Sequence, residues 1–250
     1  MTARYKLTLE YDGQGFVGWQ RQSEGVSVQG VLEEAVRRFT GFETVAVAAG
    51  RTDSGVHALA MTAHVDLARS YDPDTVMKAI NFHMKPHPVT VLEAREASDG
   101  FHARFSAQER RYLYRILNRP SPSVLDRDRV WWLPQPLDEK AMKTAARHLL
   151  GRHDFTTFRA SQCQANSPEK SLDELSVERL GDEIHIRARA RSFLHHQVRN
   201  MVGSLKLVGE GKWTPLDLKT ALDARDRAQG GPTAPAQGLY FVEALYHEDA

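Results

Sequence analysis

The chain has 250 residues, 41% of them apolar, enough for one large domain or two small ones with buried cores. Its formal net charge of +1 gives no general field for nucleic acid, so such a partner must be held by local clusters. No run of about 18 apolar residues is available to span a bilayer, and the opening "MTARYKLTLEYDG" lacks the apolar stretch of a secretory signal. The single cysteine, Cys163, excludes internal disulfides and Cys-rich metal sites, so the expected setting is a reducing cytoplasm with no membrane.

Residues 4 to 11, "RYKLTLEY", alternate as a strand does. Ser27 is placed to cap a helix with Val28, Val31, Leu32, Ala35, Val36 and Phe39 on one stripe, stopped by Gly41. "MTAHVDLA" reads as a strand, "YDPDTVMKAINFHM" as a helix with Asp72 at its cap and Pro73 in its first turn, and "VTVLEAREA" as another strand. A second half follows a similar plan. "RRYLYRIL" is a strand, Asp138 opens a helix through Ala141, Ala145 and Leu149, and "ELSVERLGDEIHIRARARSF" is a hairpin turning at Gly181-Asp182. A long amphipathic helix then carries Leu194, Val198, Met201, Val202, Leu205 and Val208, a further helix opens at Thr214-Pro215, and "GLYFVEALY" closes as a strand. The expected architecture is α+β, in two similar halves of residues 1–105 and 106–250.

Between the first helix and "MTAHVDLA" lies "AVAAGRTDSGVHALA", in which Gly50 and Gly55 bracket Arg51, Thr52, Asp53 and Ser54. Glycines let the chain turn sharply and expose a carboxylate beside an arginine, although Asp in a turn commonly bonds only its own backbone. "DGQGFVGW" has Gly13, Gly15 and Gly18 in dinucleotide spacing. However, Trp19 to Val26 separate it from the helix whose N-terminus would meet a pyrophosphate, so a plain turn is expected. "GEGKW" fails as a phosphate loop because Lys206 and Trp213 stand where glycine and Ser or Thr are needed. His195 and His196, read as neighbours on a helix, diverge by about 100 degrees and cannot share one metal, so no metal is expected. Arg110, Arg111, Arg115 and Arg119 form one basic cluster. Arg187, Arg189 and Arg191 form another, along a strand face that either tracks phosphates or is simply solvated.

"YDGQGFVGWQ", "VQGVLEEAV", "AGRTDSGVHA", "FHARFSAQERRYLYRI", "DFTTFR", "FLHHQVRNMVGSL" and "QGLYF" stand in this order from residue 11 to 241. Together they resemble the tRNA pseudouridine synthases of the A type. That resemblance implies two ferredoxin-like halves joined into a central, largely antiparallel sheet with helices packed on it and an active-site cleft between the halves. It also implies a homodimer, no cofactor, and conversion of uridine to pseudouridine at tRNA positions 38 to 40, in the anticodon stem-loop. By the same resemblance Asp53 is the nucleophile, Tyr112 packs on the target base, Arg199 pairs with the aspartate, Leu239 walls the pocket, and Arg51 helps to displace or hold the target nucleotide. The chain departs from the family's pattern at "NFHMKPHPVTV" and at the Ala-Pro-Ala before Gln237. The chemistry suits the residues, because an unperturbed carboxylate, with a pKa of about 3.9, needs no separate base to be ionised at neutral pH. Attack at the sugar C1′, attack at the base C6 and proton loss from C2′ all remain open. Two other classes stay in view: an aspartic protease, which would need a second Asp-Ser-Gly from another chain, and an RNA-binding protein of the same ancestry without turnover.

Overall fold

A computed structural model describes residues 2–247. The chain divides into two compact units, one running to Arg110 and taking up the chain again from Tyr240, the other Arg111–Leu239. The division falls inside a strand, a few residues beyond the expected boundary, and the closing strand belongs to the first unit. Each unit mixes strands and helices, as the α+β reading requires.

In the first unit, β1 (Ala3–Tyr11) lies between β3 (His57–Leu67) and β4 (Val89–Ala97), antiparallel to both, with Leu7 opposite Ala63 on one side and Ala94 on the other. The alternation in β1 does what its sequence requires: Tyr5, Leu7 and Leu9 are fully buried. Each such side chain contributes about 2 kcal/mol by leaving water. A short β2 (Val47–Ala48) pairs with β3, and β10 (Leu239–Leu245) runs parallel to β3, with Tyr240 opposite His57. α1 (Val28–Thr40) starts where Ser27 Oγ accepts the Gly30 N–H at 3.1 Å and ends at Gly41, in the left-handed conformation. α2 (Pro73–Met84) starts where Asp72 accepts the Thr75 N–H at 3.0 Å, and it packs on α1 and β4.

The second unit is entered along β5 (Glu109–Leu117), followed by β6 (Trp131–Trp132), β7 (Gly151–Asp154), β8 (Glu169–Leu180) and β9 (Glu183–Ala190). Its strand order is β5-β9-β8-β7, with β6 parallel to β5. The β8–β9 hairpin turns at Gly181-Asp182, and Leu180 faces Glu183. α3 (Glu139–Ala146) packs on β8, α4 (Gln197–Gly209) and α5 (Pro215–Ala224). The capping residues act as expected: Asp138 accepts from Ala141, and Thr214 forms a reciprocal capping box with Asp217. Val198, Met201, Val202, Leu205 and Val208 are all buried, but α4 begins at Gln197, so Leu194 lies in the turn ahead of it. Among the described residues, no helix is long and apolar enough to cross a membrane.

One buried histidine in β3 ties stability to pH. His64 is 4% exposed, and its Nδ1 accepts the Ala103 N–H at 3.1 Å. Burial, assisted by the Arg4 and His102 charges, lowers its pKa from 6.5 to about 4. The unfolded chain therefore binds this proton more readily than the folded one, so the contribution is complete above about pH 6.5 and is lost as pH falls toward 4. Denaturant unfolding should show the wild type losing about 2 kcal/mol more than His64→Asn between pH 7 and pH 4.5, since Asn keeps an acceptor but does not titrate. Parallel pH profiles for the two would assign the acid sensitivity to other groups.

Candidate active site

Asp53 sits on the β2–β3 loop of the first unit, half-buried, between the buried Thr52, which follows an exposed Arg51, and the exposed Ser54. The loop is braced by the chain that leaves β1. Thr52 Oγ1 is 2.9 Å from the Tyr11 hydroxyl, the Trp19 N–H donates to Thr52 O at 3.0 Å, and Ser54 Oγ donates to Phe16 O at 3.0 Å. Gly18 and Asp53 themselves form an antiparallel bridge. Both neighbours of the carboxylate are thus fixed to residues 11–19, which limits where Asp53 can point. The Gly18 and Trp19 carbonyls also accept the Val28 and Gln29 N–H groups, so the same segment fixes the start of α1.

This bracing gives Gly13 and Gly18 of "DGQGFVGW" their role. A Cβ on Gly18, which has φ of 113°, would lie 2.6 Å from Thr52 O, and one on Gly13 would lie 2.1 Å from Val56 O. Close backbone approach is the usual reason for such glycines; here the approaching chain is the Asp53 loop rather than a pyrophosphate. Spacing alone singles these residues out without revealing their partner, and it assigns no bracing role to Tyr11 or Ser54.

In the second unit Tyr112 is half-buried on β5, with its ring edge-to-face against Phe193 at 5.1 Å and 84°. Two residues on, Tyr114 is fully buried and donates from its hydroxyl to Pro235 O at 2.8 Å; burial pushes its phenol well up. Arg199 is in the first turn of α4, half-buried, and its Nε donates to Ala234 O at 2.8 Å while the Ala234 N–H donates to Arg199 O. The Ala-Pro-Ala segment is therefore held at Ala234 by Arg199 and at Pro235 by Tyr114. Leu239, 5% exposed, follows after Gln237 and Gly238. The preceding turn is equally tight: a Cβ on Gly203 would meet Pro232 O at 1.7 Å, and Ser204 Oγ accepts the Gly231 N–H at 2.9 Å. "NMVGSL" thus needs small residues where the loop presses on α4.

Two sequence readings need correction. His195 and His196 are not on a helix; His196 has φ of 61° in the turn before α4, and the two rings lie 4.1 Å apart. The left-handed turn brings together what helical geometry would separate, so the ground for barring a shared ligand fails. The basic clusters are also less available than their spacing suggested. Arg110 is buried, and its guanidinium donates to Ala49 O and Ala107 O. Arg115 is bound to Glu183 at 2.7 Å, and Arg187 and Arg189 meet Glu178 and Glu174 across the hairpin at 2.9 and 3.4 Å. Much of this charge is already neutralised within the unit.

The family model for tRNA pseudouridine synthase matches residues 8–106 and 145–247, most of the chain. The tRNA pseudouridine synthase A of Rhodospirillum centenum is 62% identical over 97% of this chain and 99% of its own length. That of Paramagnetospirillum magneticum is 61% identical over 97% and 95%. The chain belongs to the tRNA pseudouridine synthase family. It is an isomerase that converts uridine to pseudouridine in tRNA.

Proposed function

We propose that the enzyme acts on uridines at positions 38 to 40, in the anticodon stem-loop, with Asp53 as nucleophile. The observation that carries the assignment of Asp53 is the bracing of its loop on both flanks, at Thr52 and at Ser54. A catalytic carboxylate needs this, because a displacement of about 1 Å can cost about a hundredfold in rate. Tyr112, an aromatic ring on a strand and held edge-on by Phe193, suits a platform for the detached uracil. Arg51, Arg199 and Leu239 take the roles the resemblance gives them: holding the target nucleotide, pairing with the nucleophile and walling the pocket.

In the reaction the N1–C1′ bond breaks, the uracil turns within the pocket, and a C5–C1′ bond forms. The C5 proton leaves, and N1 takes one up, so the base is an isomer of the original with no oxidant or reductant consumed. Attack at C1′, attack at C6 and loss of the C2′ proton each satisfy this balance. Keeping water from the free uracil is the protein's remaining task.

Pseudouridine mapping of unmodified tRNA transcripts incubated with the purified protein tests the proposal. Product confined to positions 38 to 40 is expected; product elsewhere in the tRNA would overturn the site assignment. The same resemblance leads us to propose a homodimer acting in the cytoplasm without a cofactor. A monomer in sedimentation equilibrium at working concentration would overturn the dimer.

A further inference from the structure

The segment between β4 and β5 in the first unit is bonded to its surroundings along most of its length. Arg4 donates to Phe101 O at 2.7 Å, the Tyr246 hydroxyl donates to Ala103 O at 2.7 Å, and His102 Nδ1 accepts the Arg104 and Phe105 N–H groups at 3.2 Å. Despite this order, its tip presents a large apolar ring to water: Phe105 is 72% exposed. The ring stacks on His102 at 4.4 Å and 28°, and the exposed Arg104 has its guanidinium carbon 5.7 Å from the ring centre.

Single exposed apolar side chains are common and by themselves mean nothing. Two features set this one apart. It is paired with a cation on a turn whose backbone is fixed, so ring and charge are presented together in one geometry. The buried Arg110 also joins the tip to the catalytic loop: its guanidinium donates to Arg104 O, and to Ala49 O, four residues before Asp53, at 3.1 and 2.9 Å. A ligand seated on the tip is thereby placed at a set position relative to the Asp53 loop.

We infer that Arg104 and Phe105 form a docking point for the tRNA substrate, in which a base outside the reaction centre stacks on Phe105 and a phosphate meets Arg104. An aromatic face with a guanidinium beside it accepts any base, so the contact adds affinity and register without reading sequence. The inference rests on tRNA being the substrate but not on which uridine reacts.

Filter binding of an unmodified tRNA transcript to the full chain, with single-turnover rates at saturating tRNA, tests this. Phe105→Ala should weaken binding about 10- to 100-fold, Phe105→Tyr should bind within about threefold of wild type, and both should keep the saturated rate. Arg104→Gln should lower the slope of log affinity against log salt by just under about one, which Phe105→Ala should leave unchanged. If Phe105→Ala binds tRNA as wild type does, the docking point is refuted. If it instead dissociates an oligomer in sedimentation, the ring is a contact between copies and the inference is equally overturned. Neither result would alter the positions found by pseudouridine mapping, so this inference and the proposed target site fail separately.

Discussion

Asp53→Asn should abolish turnover, lowering the single-turnover rate by at least about 10⁴-fold, while the dissociation constant for tRNA stays within about threefold of wild type. Asparagine matches aspartate in size and can still accept a hydrogen bond, so the loop held at Thr52 and Ser54 has no reason to move. What is lost is the negative oxygen that would attack or stabilise the reacting ribosyl–uracil centre. Mapping pseudouridine over time with excess enzyme separates this from a binding defect. A variant that still forms product at a tenth of the wild-type rate would show that Asp53 is not the nucleophile.

The second large effect lies one loop away. Gly18→Ala must place a methyl group 2.6 Å from Thr52 O at a φ of 113°, so either residues 11–19 or the Asp53 loop has to shift. A shift of several tenths of an ångström next to the nucleophile should lower the saturated rate about a hundredfold, with tRNA affinity much less changed. Gly15→Ala is the matching control. Gly15 also has a positive φ, of 77°, but nothing lies within 4 Å of the added carbon. It should cost only about 1 kcal/mol of stability, from backbone strain, and leave the rate near wild type. If the two variants lose activity equally, strain in the 11–19 segment matters and the contact with Thr52 does not. Thermal unfolding of both confirms that folded protein is compared.

Features encoded over a few residues were legible in advance. The caps at Ser27, Asp72, Asp138 and Thr214, the stop at Gly41 and the Gly181-Asp182 turn each depend on one side chain and the backbone within a turn of it. The alternation in β1 and the stripe in α4 are equally local, because a period of 2 or 3.6 is set by the chain itself. Asp53 stood out through its bracketing glycines and its family motif, although neither revealed how the loop is held.

What sequence left undecided was the partner of each feature, because the partner lies far along the chain. β10 is parallel to β3, with Tyr240 opposite His57, a pairing that no local pattern specifies and that places the last strand in the first unit. The glycines of "DGQGFVGW" could be counted from sequence, but only the fold shows that Val56 O and Thr52 O press on Gly13 and Gly18 while Gly15 stays open. Arg110 looked like a phosphate ligand in a run of arginines, until burial and the backbone carbonyls of Ala49, Arg104 and Ala107 made it a clamp. Composition determined that the chain could fold, and periodicity determined the longer helices and strands, though not the short β2, β6 and β7 or the start of α4. Which carbonyl, carboxylate or ring each exposed-looking group would meet was decided by tertiary packing, since a hydrogen bond or a close approach is defined by distance in space and not by separation in sequence.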